Sequence, residues 1–249
     1  GTSISGATST SYTITSAQSD DNGSYQCIVS NKYGNITSSS ATLAVGYAPA
    51  FATHPASFDQ IMGSSVTFSI SLSAGTEPVT YQWQLGGADI SGATGTSHTI
   101  SSISPSDAGI YRCVASNDFA IATSDNATLI VGIPPTISSQ PADQNATIGS
   151  NPTFIVVAPG TEPLSYQWQK DGVDIPDANS SSYTVAKVTT GDIGNYRCII
   201  SNKYATATSD YAALDVGTAP SIILSPVATS ALTASRVTFS AAALGTDPL

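Results

Sequence analysis

Three times the chain spells Asp-x-Gly-x-Tyr-x-Cys, ending at Cys27, Cys113 and Cys198, so the cysteines stand 86 and 85 residues apart. Self-similarity at a fixed period defines a folding unit more directly than total length does. The 249 residues are therefore one small unit, repeated. A unit of roughly 85 residues can bury a core of its own without a disulfide or a metal.

Other segments keep the same phase. Ile4-Ser5-Gly6-Ala7-Thr8 returns as Ile90-Ser91-Gly92-Ala93-Thr94, and Tyr81-Gln82-Trp83-Gln84 returns as Tyr166-Gln167-Trp168-Gln169. Gly75-Thr76-Glu77-Pro78 recurs as Gly160-Thr161-Glu162-Pro163 and again as Gly245-Thr246-Asp247-Pro248. Short linkers carry proline each time: Gly46-Tyr47-Ala48-Pro49, Gly132-Ile133-Pro134-Pro135 and Gly217-Thr218-Ala219-Pro220. This phasing predicts complete domains over 48–131 and 134–216. It makes 1–45 the C-terminal part of a further domain and 219–249 the N-terminal part of another. Gly1 aligns with Gly87 and Gly172, and Leu249 with Val79 and Leu164. Both part-domains are thus expected to be completed by neighbouring sequence, in the same chain or in the next subunit of a head-to-tail fibre.

Within a unit the apolar period is two, the signature of strands. Val66, Phe68 and Ile70 alternate with Thr67 and Ser69, and Tyr81 and Trp83 alternate with Gln82 and Gln84. Turn residues fall every eight to twelve positions, and no helical period appears. An all-β chain of tandem two-sheet β-sandwiches, about seven strands each, is the fold this pattern predicts.

The Trp of the Tyr-Gln-Trp-Gln strand, followed by Asp-x-Gly-x-Tyr-x-Cys, resembles the immunoglobulin-like domain. The Asn-bearing hairpin after each Cys resembles its intermediate-set subtype. The combined wording is similar to tandem repeats of large bacterial surface or secreted proteins. The resemblance implies that Tyr25, Tyr111 and Tyr196 form tyrosine corners, their hydroxyls bonded to nearby backbone. It implies that Trp83 and Trp168 pack beside the sulfur position between the sheets. The family pattern breaks at the second-strand cysteine, where Ile70, Val156 and Ala241 stand instead. The usual inter-sheet disulfide is therefore absent, and the cysteines are expected to pack in their cores as small hydrophobes. No arginine precedes Asp21, Asp107 or Asp192 to make the ion pair of many relatives, so these aspartates are expected to cap their own turns.

Composition narrows function by exclusion. Seven Lys and Arg face 17 Asp and Glu, giving a net charge of −10. Nucleic acid and anionic lipid demand clustered basic residues, and none cluster here. No apolar run reaches the ~18 residues of a membrane span.

Catalytic groups are scarce. His98 occupies the register of Tyr12 and Tyr183 and is read as an aromatic substitute, while His54 has no counterpart in the next full domain. No serine sits in a Gly-x-Ser-x-Gly elbow, and Glu77 and Glu162 are copies of one turn in different repeats. Single cysteines lack zinc spacing. Asp20-Asp21-Asn22 and Asp171-Gly172-Val173-Asp174 depart from calcium-loop spacing. The four lysines, Lys32, Lys170, Lys187 and Lys203, are read as outward and not as isopeptide donors. Sequons at Asn22, Asn35, Asn126, Asn145 and Asn179 are what a Ser/Thr-rich chain produces by chance. No residue is put forward as catalytic, cofactor-binding or metal-ligating, and the chain is not expected to be an enzyme.

One recurrent surface feature stands out: Tyr33, Phe119 and Tyr204 share a register at the hairpin tip after each Cys. Aromatic tips can stack on sugars or fill a partner's pocket. The resemblance puts this hairpin at the end that receives the preceding linker, which favours packing at the junction. The expected role is structural or adhesive: a semi-rigid extracellular or cell-surface stalk, adhesin shaft or filament segment. The expected partners are neighbouring repeats in the same or adjacent chains, with surface proteins and glycans as further candidates. The alternative is an array of glycan- or protein-binding modules, including modules accessory to an extracellular enzyme whose catalytic domain lies outside this chain.

Overall fold

The computed structural model describes residues 1–246; Asp247, Pro248 and Leu249, and with them the end of the last Gly-Thr-Asp-Pro turn and the alignment of Leu249, lie outside the described residues. Strands and three short 3-10 turns make up its regular structure. The chain divides into two compact units. One comprises residues 1–58, 65–102 and 107–130, the other 59–64, 103–106 and 131–249.

In the first unit, strand Gly109–Ser116 is the spine. Its burial alternates, so that Tyr111, Cys113 and Ala115 point inward. It lies between Thr80–Leu85 and Ala127–Gly132, all antiparallel, with Cys113 directly opposite Trp83. Ala88–Asp89 extends one side of this sheet and Phe58–Ile61 the other. A second layer pairs Val66–Ser69 with Ser97–Ile100, and Ser71–Ala74 with Ala50–Thr53. Val66 and Phe68 face inward while Thr67 and Ser69 face out, as a period of two requires.

The second unit repeats this plan. Gly194–Ser201 is its spine, with Cys198 opposite Trp168. Gln144–Thr147 runs parallel to Ala212–Gly217 at the sheet edge. Phe154, Val156, Trp168, Tyr196, Cys198, Ile200 and Leu214 form its core.

The expected core devices are present. Tyr111 and Tyr196 hydroxyls donate to the carbonyls of Asp107 and Asp192, both at 2.8 Å. Burial, reinforced by those aspartates, pushes both phenols up to about 12. The Trp83 and Trp168 indoles donate to Gly95 and Ser180 carbonyls at 3.0 and 2.9 Å, so each large ring enters the core with its polar atom satisfied. Cys113 and Cys198 are free and fully buried, and burial raises both thiols to about 11. A thiol so rarely ionised near neutral pH is a poor nucleophile. Ile70 and Val156 are buried as well, apolar where the missing cysteines would stand. Asp192 accepts from both the backbone N–H and the hydroxyl of Thr189 at 2.8 Å, and Asp21 accepts from the Gln18 N–H at 2.8 Å. These are the expected turn caps.

Two expectations fail in the part-domains. Cys27 is exposed and not packed in a core, and Ala241 is exposed where Ile70 and Val156 are buried. Residues 1–45 form only two short strand pairs, Gly23–Tyr25 with Ala41–Leu43 and Ile28–Asn31 with Gly34–Thr37. From 219 onward there is a single pair, Ser221–Leu224 with Ala242–Leu244. One layer cannot bury a face that needs a second layer.

Candidate functional site: a clasp on each proline linker

The linkers are fastened rather than loose. In the first unit, the Tyr47 N–H donates to the Thr76 hydroxyl at 2.8 Å, and the Thr76 N–H returns a bond to the Tyr47 carbonyl at 3.0 Å. The second unit does the same with Ile133 and Thr161, at 2.8 and 3.0 Å. A third copy joins Thr218 and Thr246, at 2.7 and 3.1 Å. Threonine suits this position because its hydroxyl accepts while its own main-chain N–H donates.

Glycine and proline explain each other at the same place. A Cβ on Gly75 would lie 3.4 Å from the Cα of Pro49, and one on Gly160 would lie 3.1 Å from the Cα of Pro135. The glycine of Gly-Thr-Glu-Pro is the gap through which the linker passes. The following glutamates are local as well: Glu77 accepts from the Val79 N–H and Glu162 from the Leu164 N–H, both at 2.8 Å.

The hairpin after each buried cysteine closes over this pair. The Asn117 amide donates to the carbonyls of Tyr47 and Thr76 at 2.8 and 2.9 Å, while its oxygen accepts from Phe119 and Ala120 N–H at 3.1 Å. Asn202 repeats all four bonds. It donates to Ile133 and Thr161 carbonyls at 2.9 Å and accepts from Tyr204 and Ala205 at 3.0 and 3.1 Å. Every donor and lone-pair direction of the amide is used, which only asparagine could do at this reach.

Each aromatic tip then covers a linker glycine. The Phe119 ring lies where a Cβ of Gly46 would project, and the Tyr204 ring where a Cβ of Gly132 would project. Any other residue at either glycine would collide with the ring. Tyr204 adds a polar end: its hydroxyl donates to Asp59 at 2.7 Å, and Lys203 pairs with the same carboxylate. Lys203, then Tyr204, hold the Asp59 carboxyl below its usual range, and Asp59 raises the Lys203 ammonium. This pair is exposed, so it adds orientation more than stability. Phe119 has no hydroxyl and follows Asp118, so the first clasp lacks the charged end.

The other sequence candidates are structural in their surroundings. His98 stacks at 6.4 Å from Trp83 and 6.2 Å from Tyr111, matching Tyr183 at 6.3 Å from Trp168 and 6.1 Å from Tyr196. Burial lowers its pKa, against a smaller opposing pull from Asp107. His54 accepts the Asp125 N–H at 2.9 Å. Among the described residues no cluster of His, Cys, Asp or Glu could hold a metal ion, and no helix is long and apolar enough to cross a membrane.

Sequence reading found the aromatic tips but missed what they grip. Gly46, Thr76 and Asn117 all recur, and their recurrence was a usable signal; what it lacked was the pairing. Asp59 left no signal, because its counterpart is Asn145. That equivalence emerges only from matching bonds, Met62 N–H to Gly132 and Ile148 N–H to Gly217.

Comparison with known proteins agrees with this architecture. A family model described as an immunoglobulin domain matches residues 49–117 and 134–202. Protein sax-3 of Caenorhabditis elegans is 30% identical over 157 residues, 61% of this chain and 12% of that protein. Roundabout homolog 1 of Homo sapiens is 26% identical over 237 residues, 90% of this chain and 14% of the relative. The chain thus spans only about an eighth of the length of these relatives. Among solved structures, the I-band fragment I67–I69 from titin superposes with a TM-score of 0.59 at 23% identity, covering 82% of this chain and 78% of that one.

Proposed function

Because the chain belongs to the immunoglobulin domain family, we propose that it is a segment of a structural and adhesive array in which each repeat is clasped to the linker before it. In this reading the repeats run over 48–131 and 134–216, with partial repeats at 1–45 and 219–249. The array serves an extracellular or cell-surface stalk, shaft or filament, and its first partners are neighbouring repeats. A bacterial parent is the reading suggested by the repeat wording.

The observation that carries the proposal is the clasp itself. Gly46, Thr76, Asn117 and Phe119 on one linker meet Gly132, Thr161, Asn202 and Tyr204 on the next, atom for atom. Residues chosen twice for one geometry at a linker mark the linker as something to be held. A linker with freely rotating backbone would carry no such constraint. The acidic, charge-poor surface adds solubility without inviting polyanions.

The test is domain mobility in the full chain. Tyr204→Ala and Asn202→Ala each remove one part of the clasp without entering the core of Phe154 and Trp168. Nuclear spin relaxation and small-angle scattering should show the flanking sandwiches tumbling more independently in both variants. Unchanged relaxation in both would overturn a holding role for the clasp.

A further inference from the structure

A hollow of about 300 Å³ opens beside Asn145, Ala146, Thr147, Asp215, Gly217 and Thr218. It is the place on the third linker that Phe119 and Tyr204 cover on the first two. Gly217 corresponds to Gly46 and Gly132, the Thr218–Thr246 pair is already formed, and Asn145 holds the register of Asp59. Every receiving part of a clasp is assembled there.

The gripping parts are assembled elsewhere in the same chain. Asn31, Lys32 and Tyr33 stand in the register of Asn202, Lys203 and Tyr204. The Asn31 oxygen accepts the Tyr33 N–H at 2.8 Å, as the Asn202 oxygen accepts that of Tyr204 at 3.0 Å. Lys32 sits over the Tyr33 ring at 4.6 Å, as Lys203 sits over Tyr204 at 4.7 Å. The tip is preshaped before it meets anything. Tyr33 is nevertheless 84% exposed, and among the described residues the Asn31 amide nitrogen has no partner.

We propose that the hollow at Gly217 is a docking site for the Asn31–Lys32–Tyr33 tip of a second copy of this chain. The Tyr33 ring covers Gly217, its hydroxyl meets the Asn145 side chain, and Lys32 faces the carboxylate of Asp215. The Asn31 amide donates to the carbonyls of Thr218 and Thr246. Charge selects this type of tip: a Lys-Tyr tip brings a cation to Asp215, whereas an Asp-Phe tip like that of Asp118 and Phe119 would bring an anion. The inference rests on the clasp reading above, but it concerns contact between molecules rather than within one.

The contact is small, and without a covalent linker to raise the effective concentration it is weak. Sedimentation equilibrium of the full chain, under reducing conditions because Cys27 is exposed, should show self-association growing with concentration up to the millimolar range. Amide resonances of Gly217, Thr218 and Asn145 should shift along the same series. Tyr33→Ala changes a residue outside any core and should lower the association constant at least about tenfold, as loss of a central aromatic anchor does. Lys32→Glu should weaken it too, and added salt should weaken the parent through screening. A chain that stays monomeric at millimolar concentration overturns the proposal, as does association that Tyr33→Ala leaves unchanged. Tyr204→Ala separates the two readings: it loosens the internal clasp and leaves this association intact.

Discussion

The two complete sandwiches share nearly every hydrogen bond of their cores and differ in the aromatic stack. Phe68 lies 4.4 Å from Tyr111 and Phe154 lies 4.7 Å from Tyr196, each beside a buried Trp opposite a buried Cys. The third member of the stack is His98 in one and Tyr183 in the other. The geometry is kept while the chemistry changes. What the fold requires at that place is a flat half-buried ring, and titration is an accident of the ring chosen.

The largest expected effect should fall equally on both. Trp83→Ala and Trp168→Ala each empty a fully buried site and should cost about 3–5 kcal/mol. These are the only two tryptophans, so in either variant the remaining indole N–H reports the untouched sandwich by hydrogen exchange. A marked inequality between the two costs would break the equivalence of the cores.

Next come the missing staples. Ile70→Cys and Val156→Cys should each bridge to the buried Cys113 and Cys198 under oxidising conditions, adding about 2–4 kcal/mol. Thiol titration and thermal unfolding would read it. A bridge in one sandwich alone would show that the aliphatic replacements occupy different positions.

The smallest effect separates the sandwiches. Burial lowers the His98 pKa below its unfolded value, so the folded state resists the proton. Stability is therefore full above the unfolded pKa and falls as acid drops the pH through that value toward the folded one. Hydrogen exchange at Trp83 should accelerate on acidification from pH 7.5 to 5 more than at Trp168, and His98→Tyr should remove the difference. Persistence of the difference in His98→Tyr would assign it to another group.

The sandwich was legible because its determinants are local: alternation in Val66-Thr67-Phe68-Ser69, turn spacing, and a repeated tyrosine corner. The exchange of His98 for tyrosine was legible for the same reason, since register alone places it. The clasp was not, because Gly75 and Pro49, or Asn117 and Tyr47, lie far apart along the chain and each has a bland reading alone. Repetition showed that they mattered without showing that they met. The exposure of Cys27 and Ala241 was hidden differently: their surroundings depend on which strands stand opposite, and a motif carries no record of that.

The threonine bond across each linker also bears on how such a chain grows. Thr76, Thr161 and Thr246 sit downstream of the linker residues that they fix, and so does the asparagine that closes over them. A duplicated segment cut just after the linker glycine brings its own fastening and asks its upstream neighbour for little more than a residue without a side chain. The Thr218–Thr246 pair forms with no aromatic tip above it. Copy number can therefore change by whole units with no compensating substitution at the seams, and length becomes the easiest property of this chain to alter.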